Sequence, residues 1–215
     1  MREFVRRNHF LLRRLHSLTG VVPVGIFLVF HLFENSKAMQ GIEAYNEVVR
    51  SINSLPFLLA FEVFGIFLPL YFHAIYGIWI AADARHNVSN YSYGRNWAFF
   101  LQRVTGLITF FWVTYHIFHF RVPKALGAYD VGTAMPGLPD YFTVATAFAN
   151  PFVKVLYAIG IIAAAYHFAN GLYTFLITWG VTIGPRSQRV SAVVTNLLFV
   201  LVAAMGLTAL FAFQV

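Results

Sequence analysis

Residues 151–179 read PFVKVLYAIGIIAAAYHFANGLYTFLITW. The stretch holds one formal charge, Lys154, near its start and one histidine, His167, in its middle. A helix crosses the hydrocarbon core of a bilayer with about 20 apolar residues, so this segment is long enough to span. An imidazole inside hydrocarbon is costly and by default marks function. The rest of the chain repeats the pattern.

Four further stretches are long and apolar enough to span: Leu15–Phe33, Leu55–Ala82, Trp97–Phe120 and Val190–Phe213. The expected fold is all-α, an integral membrane bundle of five transmembrane helices forming one domain over residues 1–215. Bulk composition agrees. The 215 residues are 59% hydrophobic and 11% charged, and the mean hydropathy is +0.68. Soluble domains average about 45–50% apolar and about 25% charged. With no cysteine, disulfides, thiolate metal sites, thiol nucleophiles and iron–sulfur ligation by this chain are excluded. The first apolar run continues to Phe33 with no small-residue cleavage site behind it, so it reads as a span and not as a cleavable signal.

The connections are uneven. Glu34–Ser54 is polar and carries Glu43 and Glu47; Asp83–Asn96 is short; Arg121–Asn150 is the longest and rich in Gly and Pro; the last is a tight turn around Gly184-Pro185-Arg186. Pro23 and Pro69 read as kinks. Ten Lys/Arg, among them Arg2, Arg6, Arg13, Arg85, Arg95 and Arg186, fall on one side of the spans and five on the other. The positive-inside rule then puts the N-terminus in the cytoplasm, with Trp97 and Trp179 at the inner interface. The net charge of +7 sits mostly at helix ends, which argues for membrane orientation and against nucleic acid as a partner.

Four histidines lie inside four separate spans: His31, His73, His116 and His167. The first span reads Thr19-Gly20 and then His31, the third Thr105-Gly106 and then His116, with twelve and eleven residues from Thr to His. In the second and fourth spans Gly77 and Gly171 follow His73 and His167 by four residues, one turn along the same face. Side-chain-free positions there would let a flat macrocycle lie against the helix. His31 lies three residues from Glu34 and His116 five from Arg121, both near the outer face, whereas His73 lies eighteen from Leu55 and His167 sixteen from Pro151. At ~1.5 Å per residue the two levels differ by roughly 16–22 Å before tilt. The expected pairs are therefore His31 with His116 (outer) and His73 with His167 (inner), each holding the iron of one haem. Two imidazoles fill both axial positions, so such a haem carries electrons and leaves no place for substrate.

Other residues are secondary candidates. His119 is one turn beyond His116 and is a rival ligand. His16 and Ser17 sit at the inner mouth of the first span and, with Arg14 and Arg103 near the two Thr-Gly motifs, are candidates for a haem propionate or a quinone. Glu62, the only acid well inside a span, is a candidate for quinone or proton chemistry. His9 and His86 read as solvated loop residues. No catalytic residue is expected.

Several ordered blocks carry a resemblance: Phe67-Leu-Pro-Leu with His73 and Tyr76-Gly77, Tyr91-Ser-Tyr before Arg95-Asn-Trp97, Leu101-Gln-Arg-Val-Thr-Gly106, His167-Phe with Asn170-Gly171, and Thr178-Trp-Gly with Pro185-Arg-Ser-Gln-Arg189. From about Arg13 to Phe213 the chain resembles the cytochrome b membrane anchor of succinate:quinone oxidoreductases, in the single-polypeptide, five-helix, di-haem form. The resemblance implies two b haems on His31, His116, His73 and His167, and electron transfer between an iron–sulfur subunit and a membrane quinone. Menaquinone is the quinone it points to. It also implies a flavoprotein subunit, a prokaryotic inner membrane, and room for a dimer of the whole complex. The long third connection and His119 depart from the family pattern. The alternatives are a di-haem reductase of the cytochrome b561 sort, an anchor of a hydrogenase or formate dehydrogenase, and a transporter or scaffold without haem.

Overall fold

The computed structural model describes residues 3, 7–129 and 135–215. Arg2 and Arg6 of the inner charge count lie outside the described residues, as does the middle of the third connection.

Every regular element among the described residues is helical, and the long apolar helices are those of a membrane bundle. The first span is α1 (His9–Val21) followed by α2 (Pro23–Asn35) and a 3-10 turn, Ser36–Gln40. The break falls at Val22 because Pro23 has no N–H for the Thr19 carbonyl, and its ring crowds that oxygen. The second span opens with the turn Leu58–Ala60, widens into a π-helical run over Phe61–Phe67, and becomes α4 (Leu68–Ala82) after α3 (Ile42–Asn53) in the connection. Pro69 would clash with the carbonyl four residues back, at Gly65, and the wide π turns lie where that clash would arise. The third span, α5 (Gly94–His116), repeats the device: a π-helical run, Ile117–Arg121, precedes Pro123. After α6 (Tyr141–Ala149), α7 (Pro151–Thr178) and α8 (Pro185–Ala212) complete the set. Four of these spans meet a strict apolarity criterion; α5 is 23 residues long and carries Arg95 and Arg103.

Two helices lie in connections that the sequence reading left irregular. In α3, Tyr45 and Asn46 are buried while Glu43 pairs with Arg50 at 2.8 Å on the exposed face. In α6, Asp140 caps the N-terminus by accepting from the Thr143 amide at 2.8 Å, and Tyr141, Val144, Ala145 and Phe148 form one buried face. His9 is helical, the first residue of α1, though exposed as expected; His86 is in an exposed loop.

Contacts divide the chain into two compact units. The first holds Met1–Leu28, Leu59–Gly106 and Tyr166–Phe199; the second holds Val29–Leu58, Leu107–Ala165 and Val200–Val215. Within the second, small residues let helices close up, as expected where lipid gives no hydrophobic drive between helices. A Cβ at Gly206 would stand 2.6 Å from Ile161, and one at Gly160 would stand 2.1 Å from the Trp112 indole. The Tyr141 amide donates to Asn46 at 2.9 Å and its hydroxyl donates to the Ala212 carbonyl at 2.8 Å. Tyr45 packs edge-on against Phe213. Burial, and after it Asp140 and Tyr129, holds the Tyr45 phenol well above the ordinary tyrosine range. Lys124 donates to Asn53, tying the end of the third span to α3.

Candidate functional site

In the first unit, His73 on α4 and His167 on α7 face each other with ring centroids 6.1 Å apart and planes at 83°. Each imidazole is held by a neighbouring helix in the same way. The His73 Nδ1–H donates to the His16 carbonyl at 2.8 Å, and the His167 Nδ1–H donates to the Gln102 carbonyl at 3.0 Å. A helical carbonyl is already the acceptor for the amide four residues on, and a side chain at that fourth residue would cover it. Here those residues are Gly20 and Gly106. A Cβ at Gly20 would lie 2.3 Å from His73 Cε1, and one at Gly106 would lie 2.8 Å from His167 Cε1.

The notch is reciprocal. Gly77, one turn past His73, receives the His16 ring, whose Cε1 would be 2.9 Å from a Cβ there. Gly171, one turn past His167, faces the Gln102 amide, whose nitrogen would be 3.3 Å from a Cβ there. His16 stacks on His73 at 4.1 Å with planes 9° apart. Gln102 donates to the His167 carbonyl at 3.0 Å and accepts from Asn170 at 2.7 Å. The two Thr-Gly motifs are thus two copies of one device, in which His16 corresponds to Gln102. Sequence reading found the motifs but missed Gln102 and Asn170; the shared spacing from His16 to Gly20 and from Gln102 to Gly106 was the available signal.

In the second unit, His31 on α2 and His116 at the end of α5 stand 5.8 Å apart, planes at 73°. His119 lies in the π-helical run that follows His116. The Asn35 amide donates to the His31 carbonyl at 2.7 Å and lies 3.4 Å from its Nε2. His116 Nδ1 is 3.3 Å from the Tyr157 hydroxyl.

The paired imidazoles fit a haem iron held between them. Two imidazoles on opposite sides of one metal, with bonds of about 2 Å, have centroids about 6 Å apart, as both pairs do. The carbonyl acceptor makes Nδ1 the protonated nitrogen of His73, and the Gln102 carbonyl at 3.0 Å favours the same form of His167, whose Nδ1 also lies 3.2 Å from the Gln102 amide nitrogen. Such a tautomer leaves Nε2 for a metal, and a carbonyl is the usual partner of a ligating imidazole. Buried polar atoms without a partner lie in each unit: His16 Nδ1 and Arg103 Nε in the first, Trp112 Nε1 in the second. Such groups are what a propionate or a quinone oxygen would satisfy.

The chain matches the family described as succinate dehydrogenase/fumarate reductase transmembrane subunit over residues 84–207. It is 47% identical over 206 residues to the succinate dehydrogenase cytochrome b558 subunit of Bacillus subtilis (strain 168), covering 96% of this chain and 98% of that one. The chain belongs to the succinate dehydrogenase/fumarate reductase transmembrane subunit family. It is a multi-pass membrane protein, and the resemblance drawn from its motifs holds.

The remaining candidates in this transmembrane subunit are placed as follows. Ser17 donates to the Arg14 carbonyl at 3.1 Å and accepts from the Trp179 indole at 2.9 Å. Arg14 lies over the Phe10 and Trp179 rings. Arg103 donates to the Phe99 carbonyl at 2.7 Å and lies over that ring. Glu62 is half-buried in the π-helical run of the first unit. His119 is half-buried, with Nδ1 3.2 Å from the Tyr157 hydroxyl.

Proposed function

We propose that this subunit carries electrons through two b haems between an iron–sulfur subunit and membrane quinone, in a succinate dehydrogenase or fumarate reductase complex with a flavoprotein subunit. The observation that carries the reading is the pair of facing histidine couples, each with the centroid spacing of two ligands on one metal. The inner haem is held by His73 and His167 and the outer by His31 and His116. A haem with two imidazole ligands supplies one-electron transfer and leaves no open iron position.

The chain's own residues bind, orient and insulate. The His16 and Gln102 carbonyls hold the Nδ1 protons of His73 and His167, which fixes ring orientation and raises ligand basicity. Gly20, Gly77, Gly106 and Gly171 clear the space those rings and their supports occupy. Arg103 Nε and His16 Nδ1 are the donors for propionates in the inner half, with Arg14 and Ser17 at the mouth. Glu62 is the residue for proton exchange with quinone. Menaquinone, a prokaryotic cytoplasmic membrane with the N-terminus inside, and a dimer of the complex belong to the same reading. What supports them is the family membership and the asymmetry of Lys and Arg.

A reduced-minus-oxidised spectrum of the purified complex, with haem extracted and counted against the chain, tests this. Two b haems per chain are expected; one or none contradicts it.

A further inference from the structure

His73 is supported by a backbone carbonyl and His167 by the carbonyl and side-chain amide of Gln102, but His116 is supported by a tyrosine hydroxyl. Tyr157 is 3% exposed. Its ring is fixed by Phe148 at 4.8 Å and Trp112 at 5.7 Å, and Gly160 gives Trp112 the room to pack there. The hydroxyl is therefore held in one place, between two imidazole nitrogens: His116 Nδ1 at 3.3 Å and His119 Nδ1 at 3.2 Å. All of these residues belong to the second unit.

We propose that Tyr157 is a positioning residue for His116, and that the ordered chain His116 Nδ1–H to Tyr157 Oη–H to His119 Nδ1 sets the redox midpoint of the haem held by His31 and His116. This rests on the ligand assignment above. With His116 Nε2 committed to iron, its Nδ1 carries a proton and must donate. The tyrosine oxygen accepts it. The phenol has one proton, and that proton goes to His119 Nδ1. Donation by a ligand imidazole strengthens its basicity and favours ferric iron, lowering the midpoint. A hydroxyl that itself donates is a better acceptor, because bonds in a chain polarise one another. His119 thereby acts on the haem from one residue further out, without touching it. Among the described residues no hydroxyl bonds the Nδ1 of His73 or His167; the first meets the His16 carbonyl and the second the carbonyl and side-chain amide of Gln102, so removing the Tyr157 hydroxyl acts on one centre.

The test is an anaerobic redox titration of the purified complex, followed optically and by low-temperature electron paramagnetic resonance. The centre concerned is first identified as the signal lost in His31 and His116 variants. Tyr157→Phe keeps the packed ring and removes the hydroxyl. It is expected to retain two haems and to move that centre's midpoint upward while the other stays put. His119→Phe moves the same centre upward by less, and the double variant goes no further than Tyr157→Phe alone. An unchanged midpoint, an equal shift of both centres, or independent addition of the two effects overturns the proposal. If Tyr157→Phe does not hold the haem, His119→Phe decides alone: an upward shift supports the relay and an unchanged midpoint overturns it. Should His31 and His116 variants remove no haem signal, the ligand assignment itself fails, whichever way Tyr157 behaves.

Discussion

The imidazole of His73 occupies the volume in which a side chain at Gly20 would stand, since a Cβ there would meet Cε1 at 2.3 Å. The same absence of a side chain exposes the carbonyl one turn earlier, so one glycine both admits the ring and supplies its anchor. This relationship gives a graded set of expectations.

Alanine at three of the notch glycines should hurt in the order of the space each would invade. Gly20→Ala meets a ring at 2.3 Å and Gly106→Ala meets one at 2.8 Å, whereas Gly171→Ala meets only the end of the Gln102 amide at 3.3 Å. Overpacking a filled site costs about 1–3 kcal/mol. The first two should lose haem from the His73–His167 centre, Gly20→Ala most, and the third should retain it. Haem content and the reduced spectrum of each purified variant check the order. Full retention in Gly20→Ala would refute it.

The cap on α6 should matter for stability and not for redox properties. Asp140 accepts from the Thr143 amide at 2.8 Å and from its hydroxyl at 2.7 Å, and losing such a cap costs about 0.5–2 kcal/mol. Asp140→Ala should lower the thermal midpoint of the complex in detergent while both haem midpoints stay unchanged.

Alkaline sensitivity should trace to Tyr45. Its phenol is held above the ordinary value of about 10, first by burial and then by Asp140 and Tyr129. The fold therefore favours the neutral form. That contribution is complete below about pH 10 and is lost as pH rises toward the folded-state value. Tyr45→Phe keeps the edge contact with Phe213 and removes the ionisable group. Thermal melts from pH 8 to 11 should show the wild type losing stability above about pH 10 and the variant losing less. Identical slopes would contradict this.

Much of the architecture was legible because hydrocarbon imposes a simple demand: long apolar runs, with rare polar residues that stand out. The four histidines and the glycines one turn beyond His73 and His167 were visible for that reason. Along the chain Gly77 and Gly171 suggest space for a macrocycle, whereas in the structure they receive the His16 ring and the Gln102 amide. That exchange depends on a second helix and cannot be seen along one. Tyr157 was hidden for the same reason: it is ten residues from His167 on α7, yet it serves His116 on α5. The helices α3 and α6 are hard to see along the chain because polar and Gly/Pro-rich neighbours dilute their signal. Asp140 followed by apolar Tyr141, Val144, Ala145 and Phe148 is nevertheless a capped helix with a single buried face.

The most direct measurement replaces His31, His73, His116 and His167 one at a time and follows haem content and midpoint potentials of the purified complex. The prediction is that His73 and His167 variants abolish or disturb one b-haem signal while His31 and His116 variants affect the other. Variants that sort into different couples, or that leave both signals intact, would contradict the assignment.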